Sequence, residues 1–246
     1  MPPPNPTPRQ LIGRLFGAML EASGPRSWWP ADHAGPRGGF DEIVIGAVLT
    51  QNTAWKNVVQ ALASLRAANL LDLEKLTVAE PEAIAPLIKS SGYYNLKSRR
   101  LNSVACFFAP GGKLRLAELA TWPLETLRQS LVNVYGVGPE TCDSILLYAL
   151  GRLSFVIDAY TMRIGRRHGL LTDDDNYDSA RALFSNHVEP DLQIYNEYHA
   201  LLVWIGNNFC RPTPRCHQCP LSRRDCFSDN KHWTALKKFR EGRSGL

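Results

Sequence analysis

Residues 134–150 read VYGVGPETCDSILLYAL, a tight turn followed by an apolar helix. Gly136 and Gly138 leave the backbone of this turn open to close approach by another molecule. Pro139 suits the first turn of a helix, where its missing N–H has no partner to lose. The start of a helix also attracts an anion. The stretch therefore predicts a helix-hairpin-helix that binds a phosphate, or otherwise an ordinary connection between two packed helices.

Helical periodicity dominates the rest of the chain. Apolar residues recur at spacings of three and four, as on one face of a helix, in residues 41–50, 53–70, 91–109 and 192–210. The one strand-like run, LSFVI at 153–157, is too short to build a sheet by itself. The pattern predicts an all-α protein.

The composition is that of an ordinary globular protein with a small positive surplus. The 246 residues are 44% hydrophobic, the net charge is +5, and residues 229–246 form a basic tail. A polyanionic partner is favoured, and no membrane partner is expected because no apolar run reaches the roughly 18 residues of a membrane span. The first ten residues, MPPPNPTPRQ, lack the features of a targeting signal. They predict a disordered leader over residues 1–10 and a cytoplasmic protein.

An acid follows the strand-like run. Asp158 opens an Arg-rich segment of helical periodicity within VIDAYTMRIGRR. An aspartate at such a position is most often an N-cap, which accepts hydrogen bonds from the first turn of the helix. It can also be a catalytic carboxylate that lies close to phosphate-binding groups.

Four of the six cysteines lie close together near the C-terminus. Their spacing is Cys210-x5-Cys216-x2-Cys219-x6-Cys226. Thiolates are soft ligands, so this set predicts a metal centre. A structural zinc site usually takes two separate Cys-x2-Cys pairs, whereas here single cysteines flank one such pair. This arrangement favours a 4Fe–4S cluster, with zinc as the alternative.

These motifs, in this order, resemble the endonuclease III family of helix-hairpin-helix DNA glycosylases. The resemblance spans most of the chain, from about Trp28 to Cys226, and implies a two-lobed all-α fold. The matching stretches are GVGPETCD at 136–143, VIDAY at 156–160, the four-cysteine loop, GAVLTQNT at 46–53 and SGYYNLKSRRL at 91–101.

The resemblance also implies domain boundaries and DNA contacts. Residues 37–151 would form a six-helix barrel with the hairpin, and residues 11–36 together with 152–228 would form the lobe that holds the cluster. A glutamine would probe the duplex, a tyrosine would enter it as a wedge, and the hairpin would bind a phosphate. The DNA-binding residues implied in this way are Gly136, Val137, Gly138, Gln51 and Tyr93.

Two features depart from the family's pattern. The cluster spacing of the family is x6, x2, x5, so the inner pair is shifted here by one residue, and the cluster is still expected. In bifunctional members a lysine after the hairpin attacks the sugar, but the matching residue is Glu140, which cannot form an imine. No lysine occurs between residues 114 and 230. Weak or absent AP-lyase activity is therefore expected.

The segment SWWP at 27–30 resembles the branch typified by 3-methyladenine DNA glycosylase III. In that branch, aromatic residues stack on a flipped alkylated base. Trp28 and Trp29 are therefore expected in a base pocket and Tyr160 at its rim, with packing in a core as the alternative for aromatic residues. Some members of that branch lack the four cysteines present here. Oxidised pyrimidines therefore remain the second substrate class.

These implications describe a DNA N-glycosylase of base excision repair that acts as a monomer on double-stranded DNA with a damaged base. Asp158 would stabilise positive charge on the sugar and activate water. Nucleoid association is expected while DNA is bound. One alternative is a bifunctional glycosylase/lyase for oxidised pyrimidines that uses another amine, such as Lys97 or the N-terminal amine. The other is a non-catalytic binder of damaged DNA.

Overall fold

The structure is a computed structural model that describes residues 6–31, 39–110 and 114–222. Within these ranges all regular structure is helical, which confirms the all-α prediction. None of the helices described there is both long and apolar enough to cross a membrane. Cys226 and the basic tail at 229–246 lie outside the described residues.

The chain divides into two compact units. The hairpin unit is Trp29–Arg152, and the aspartate unit combines Met1–Trp28 with Leu153–Leu246. The second boundary follows residue 152 instead of residue 151. The first boundary precedes Trp29 instead of residue 37, because Trp29 packs inside the hairpin unit.

The described helices, in chain order, are α1 Pro8–Ser23, α2 Phe40–Leu49, α3 Trp55–Ala67, α4 Leu73–Val78, α5 Pro81–Ile84, α6 Tyr94–Phe108, α7 Leu116–Thr121, α8 Leu124–Val132, α9 Pro139–Ser144, α10 Ala159–Arg167, α11 Tyr177–His187 and α12 Leu192–Asn208. A 3₁₀ helix, Ala85–Ser91, continues α5, and a π-helical segment, Ile145–Ala149, continues α9. A short 3₁₀ helix, Cys216–Gln218, lies in the cysteine loop.

Helix α1 begins inside the segment predicted to be a disordered leader. Thr7 and Gln10 form a capping box, in which each side chain bonds the backbone N–H of the other residue. Pro8 occupies the first helical position, where it needs no hydrogen-bond donor. The leader prediction is therefore wrong for residues 8–10, because the proline-rich composition concealed a helix start.

Helix α2 is the centre of the hairpin unit. Eight of its ten residues are buried, and the helix contacts α3, α6, α9 and the π-helical segment. Its sequence, FDEIVIGAVL, is apolar on nearly every side, as expected for a helix enclosed by others. Each fully buried Ile, Leu or Val side chain contributes about 1.5–3 kcal/mol to stability. The loop that follows α2 is thus attached to a firmly packed element.

The aspartate unit is held together by aromatic residues. Phe16 on α1 and Tyr198 on α12 lie 5.0 Å apart between ring centroids, and the Tyr198 hydroxyl donates a 2.8 Å hydrogen bond to the carbonyl oxygen of Ile12. Phe155 stacks on Phe184 of α11 at 4.9 Å. These contacts fix the segment that leads into α10.

Candidate functional site

Asp158 lies where a buried non-helical segment meets α10. Phe155, Val156 and Ile157, immediately before it, are at most 1% exposed. Oδ1 of Asp158 accepts hydrogen bonds from the backbone N of Thr161 at 2.7 Å and from the Thr161 hydroxyl at 2.8 Å. The N-cap interpretation is thereby confirmed. Only 8% of Asp158 is exposed, so its carboxylate is held in one orientation.

His199 is a neighbour of Asp158 that sequence reasoning missed. It lies on α12, is buried, and its Nε2 is 3.7 Å from Oδ2 of Asp158. Burial by itself raises the pKa of the Asp158 carboxyl, but His199 and the N–H and hydroxyl of Thr161 outweigh it and hold that pKa below its usual value. Asp158 is therefore ionised at neutral pH, as stabilising a positive charge requires.

The hairpin turn lies between α8 and α9. Gly136 has a φ of +84°, in the region that favours glycine, and a Cβ there would overlap the side chain of Arg100. Gly138 is exposed and is the N-cap of α9. Arg128 on α8 forms two hydrogen bonds, of 2.9 and 3.2 Å, with the fully buried carboxylate of Asp143 on α9. This ion pair holds together the two helices that carry the turn.

Gln51 joins the loop after α2 to the hairpin. Its Nε2 donates hydrogen bonds of 2.9 Å to the carbonyl oxygen of Gly136 and to the hydroxyl of Thr141, and its Oε1 accepts one from Arg100. Val137, the next residue in the turn, is buried. The structure thus brings together Gln51 and the predicted hairpin residues. It adds Arg100 and Thr141, which lie within the matching stretches but had been given no role.

Tyr93 belongs to the same unit and is one of its most exposed aromatic residues. It is the N-cap of α6 and is 70% exposed. Its φ of +47° is left-handed, which is unusual for a residue with a bulky side chain. The ring is exposed, and the wedge role of Tyr93 stays a prediction.

Two residues bear on the choice between hydrolysis and lyase chemistry. Glu140 is exposed in the first turn of α9, where a negative charge is favourable. Lys97, the alternative amine, is 1% exposed, and its Nζ donates to the carbonyl oxygens of Leu49 and Ser91 at 2.8 and 2.7 Å. Burial, followed by the charge of Arg100, lowers the pKa of Lys97 to about 8. An ammonium group enclosed in this way is poorly placed to attack a sugar.

The paired tryptophans belong to different units. Trp29 is 8% exposed and packs against Trp55 and Tyr148, with ring centroids 5.0 and 5.4 Å away. A Cβ on Gly46 would come within 2.9 Å of the Trp29 ring, so the glycine makes room for it. Trp28 is partly exposed and belongs to the aspartate unit. For Trp29, packing in the core is the role that the structure shows.

Tyr160 lies on α10, two residues after Asp158. Its hydroxyl donates a 2.7 Å hydrogen bond to Asn207, and the guanidinium of Arg163 lies 5.1 Å from its ring centroid. A Cβ on Gly206 of α12 would overlap the Tyr160 ring. The residue therefore joins α10 to α12, and its place at a pocket rim stays a prediction.

The cysteine loop follows α12, and α10 supports it. Nε of Arg163 donates a 2.6 Å hydrogen bond to the carbonyl oxygen of Cys210, and Nη1 of Arg167 lies 3.3 Å from the Cys210 Sγ. Burial raises the pKa of the Cys219 thiol, a backbone hydrogen bond from Leu221 lowers it, and the neighbouring Cys210 and Cys216 raise it. Cys210 and Cys216 are therefore close enough to influence Cys219 electrostatically.

Three of the four predicted ligands, Cys210, Cys216 and Cys219, lie among the described residues. Among the residues that the structure describes, no group of three or more His, Cys, Asp or Glu side chains is arranged to hold a metal ion. The fourth cysteine of the predicted set, Cys226, lies outside them. The donors that are described are free thiols, and a cysteine binds a metal as its thiolate. Their chemistry fits a soft metal centre.

Comparisons with known proteins converge on one family. Residues 45–190 match the family described as HhH-GPD superfamily base excision DNA repair protein. A protein of Methanocaldococcus jannaschii, named as a DNA repair glycosylase, is 40% identical over 214 residues, or 86% of this chain and 94% of that protein. The endonuclease III of Thermotoga maritima is 25% identical over 178 residues, or 72% of this chain and 78% of that protein.

Solved structures show the same fold. The 3-methyladenine DNA glycosylase of Helicobacter pylori, bound to 1,N6-ethenoadenine, superposes with a TM-score of 0.67 at 24% identity, over 81% of this chain and 97% of that chain. A non-covalent endonuclease III–DNA complex superposes with a TM-score of 0.69 at 18% identity, over 94% of this chain and 98% of that chain.

Proposed function

Since this chain belongs to the HhH-GPD superfamily of base excision DNA repair proteins and is a DNA glycosylase, we propose that it releases a damaged base by hydrolysis alone. The observation that carries the proposal is Asp158, a buried carboxylate with a lowered pKa. The position of the lyase lysine is occupied by Glu140, which cannot form an imine with the sugar. The product is therefore an abasic site in an intact DNA backbone.

Asp158 contributes electrostatically and as a base. When the glycosidic bond breaks, its electron pair leaves with the base and positive charge grows on the sugar, which the carboxylate stabilises. A water molecule then adds to the sugar carbon, and Asp158 accepts its proton. His199 and Thr161 keep the carboxylate ionised and oriented for both steps.

The hairpin unit binds double-stranded DNA. The exposed backbone around Gly138 meets a phosphate, and this contact positions the duplex without reading its sequence. Tyr93 fills the space left by the flipped nucleotide, which offsets part of the few kcal/mol that unstacking costs. The Tyr93 side chain is already exposed for this role, whereas Gln51 must first release its hydrogen bonds to Gly136 and Thr141.

Alkylated purines are the substrate class that we propose. Electron-poor bases stack well on indole rings, and Trp28 offers a partly exposed ring in the segment that resembles the 3-methyladenine branch. The likeness to a glycosylase bound to 1,N6-ethenoadenine is consistent with this class. Trp29 belongs to the core of the hairpin unit, through its contacts with Trp55 and Tyr148.

The cysteine loop holds a 4Fe–4S cluster in this proposal. Cys210, Cys216, Cys219 and Cys226 are its ligands, and the cluster supplies a rigid loop rather than a chemical step, because hydrolysis requires no redox reaction. Arg163 and Arg167 attach the first ligand, Cys210, to α10. A purified protein that absorbs visible light near ~410 nm would support iron–sulfur ligation over zinc.

Base release from a panel of duplexes tests the activity. The panel contains 3-methyladenine, thymine glycol, uracil or a preformed abasic site, each read with and without alkali and with borohydride trapping. Strand breaks that appear only after alkali on the 3-methyladenine duplex are expected, with no trapped covalent complex. Breaks without alkali, or a trapped complex, would contradict hydrolysis alone. Binding of every duplex without base release would establish the non-catalytic alternative.

A further inference from the structure

Lys97 on α6 is a buried lysine that the proposed reaction does not use. It is 1% exposed, and its Nζ donates hydrogen bonds to the carbonyl oxygen of Leu49 at 2.8 Å and to that of Ser91 at 2.7 Å. Lysine is almost never fully buried unless it is paired, because its charge loses hydration. The position of this ammonium group therefore calls for a reason beyond packing.

The two carbonyl groups share one structural property. Leu49 is the last residue of α2, and Ser91 is the last residue of the 3₁₀ helix Ala85–Ser91. The last carbonyl groups of a helix have no partner within it, and a cation is favourable at this negative end. Lys97 therefore caps the C-terminal ends of two helices with one side chain.

Each capped helix leads directly into a loop that carries a predicted DNA contact. Gln51 follows Leu49 by two residues, and Tyr93 follows Ser91 by two residues. Both loops contain a left-handed non-glycine residue, Asn52 with φ +53° and Tyr93 with φ +47°. Such strained conformations persist only where the surrounding structure holds them in place. Lys97 is a buried contact that links both loops.

Helix α6 also connects Lys97 to the hairpin. Tyr93, Lys97 and Arg100 are separated by four and three residues, so they lie on one face of the helix. Arg100 donates to Gln51, which in turn bonds the carbonyl oxygen of Gly136. One face of α6 thus connects the exposed Tyr93 ring, the Lys97 hydrogen bonds and the hairpin turn that is proposed to bind a phosphate.

We propose that Lys97 is a positioning residue for DNA binding, whose ammonium group caps two helices and thereby fixes the loops that carry Gln51 and Tyr93. This role rests on the proposed function of the hairpin unit. It explains why a lysine side chain is enclosed here, since two backbone carbonyl groups need a donor that reaches both. At neutral pH the group stays mostly charged, because the pKa of about 8 lies above 7.

Lys97→Met is the main test. Methionine fills similar space but donates no hydrogen bond, so both helix ends lose their cap. The probe is a duplex that contains a tetrahydrofuran abasic analogue, which the protein binds without reacting. The expected loss of affinity is on the order of 10- to 100-fold, as for other small misplacements of binding groups. The matched control is Lys75→Met on α4, a partly exposed lysine of the same unit that should bind like the wild type.

A double-variant cycle separates positioning from general stability. If Lys97 acts through the two loops, Lys97→Met should cost little further affinity in a Tyr93→Ala, Gln51→Ala background. Amide hydrogen exchange should also become faster at residues 50–53 and 92–94 while the rest of α6 stays protected. A purely structural role would instead give losses that multiply, and exchange that rises throughout the unit. Either of those results would overturn the proposal.

Lys97→Gln is a second test, which can be used if the Lys97→Met variant does not fold. Its amide keeps two N–H donors but is one bond shorter, so it reaches at most one of the two carbonyl groups, and an intermediate loss of affinity is expected. Wild-type affinity in either folded variant would overturn the role of Lys97 alone. If the wild-type protein itself failed to bind the abasic duplex, the proposed function would fail together with it.

Discussion

At the hairpin turn, Gln51 donates its hydrogen bonds to neutral acceptors, whereas around Asp158 a buried carboxylate faces a buried imidazole. Gln51 bonds a carbonyl group and a hydroxyl group, and Tyr93 of the same unit is 70% exposed. Asp158 and His199 are 8% and 7% exposed, with their side chains 3.7 Å apart.

The difference indicates a division of labour. Hydrogen bonds to backbone groups fix the shape of a loop without adding charge, which suits a surface that must fit a duplex. A buried charge is costly to maintain and becomes useful where positive charge develops during a reaction. Changes in the hairpin unit should therefore reduce affinity, and changes around Asp158 should reduce the rate of base release.

Asp158→Asn should produce the largest effect. Asparagine is also a good N-cap, so α10 should keep its start, but the negative charge is lost. Base release should fall by about 10²- to 10⁴-fold. Affinity for a duplex with a tetrahydrofuran abasic analogue should change little. Single-turnover base release and equilibrium binding measure the two quantities separately.

Asp191→Asn is the matched control for this change. Asp191 is the N-cap of α12 in the same unit, and its Oδ1 accepts a 2.9 Å hydrogen bond from the backbone N of Ile194. This variant should release the base at nearly the wild-type rate. Equal losses in the two variants would show that Asp158 acts only by capping a helix, and the division of labour would fail.

Gly136→Ala should produce the next largest effect, this time on affinity. Its φ of +84° is strained for alanine, and the new Cβ would overlap Arg100, which also bonds Gln51. Strain and overpacking each cost about 1–3 kcal/mol. Duplex affinity should fall by at least about tenfold, since 1.4 kcal/mol is a factor of ten. Binding titrations and thermal unfolding would measure both consequences.

Gly24→Ala gives the comparison for this substitution. Gly24 has a φ of +67°, but nothing lies within 4 Å of the position of its Cβ. It therefore carries the backbone strain without the overlap, and it should lower stability without affecting DNA affinity. If both glycine variants lost affinity equally, general instability would explain the effect rather than the shape of the hairpin.

The sequence predicted those parts of the site that local patterns mark. Asp158 follows a buried apolar run and begins an Arg-rich helix, so its position as an N-cap could be expected from neighbouring residues alone. The glycines of the hairpin marked a tight turn, and the helical periodicity marked the all-α class. These features depend on residues close to one another in the chain.

Contacts between distant residues were not predictable in the same way. His199 lies on an apolar helix like many core histidines, and only the fold places it beside Asp158. Arg100 occupies the space left by Gly136, although the sequence shows only that a glycine is present. Trp28 and Trp29 are adjacent in the chain but belong to different units. Packing in three dimensions decides each of these cases.

His199→Gln should give a smaller effect that depends on pH. The folded pKa of Asp158 is lowered, so its carboxylate stabilises the protein above the unfolded pKa of about 3.9 and this contribution is lost as the pH falls through the folded value. Without His199, burial dominates and the pKa should rise. The acid limb of the base-release profile should then move to higher pH.

The rate of base release across acidic pH tests this expectation. His187→Gln on α11 is the control. It makes the same substitution at a different histidine, whose Nδ1 contacts the carbonyl oxygen of Leu183. Its acid limb should coincide with that of the wild type. An unchanged limb in His199→Gln would mean that Thr161 alone keeps Asp158 ionised.

Glu140→Lys should produce the smallest change in DNA affinity. Glu140 is an exposed acid in the first turn of α9, beside the turn proposed to meet a phosphate. A lysine there adds one phosphate contact, so affinity should rise a few-fold at low salt, and the slope of log affinity against log salt should steepen by about 0.9. Borohydride should also trap a covalent complex, because the new amine can attack the sugar.

Glu125→Lys separates local from general charge effects. Glu125 is an exposed acid in the first turn of α8, so the substitution makes the same change in net charge away from the turn. A steeper salt dependence and trapping in the Glu140 variant alone would locate the phosphate at the hairpin. Equal slopes in the two variants would mean that DNA responds to the net charge of the hairpin unit. A steeper slope without trapping would show that lyase chemistry needs more than an amine at this position, and the hairpin unit would then contribute to binding alone.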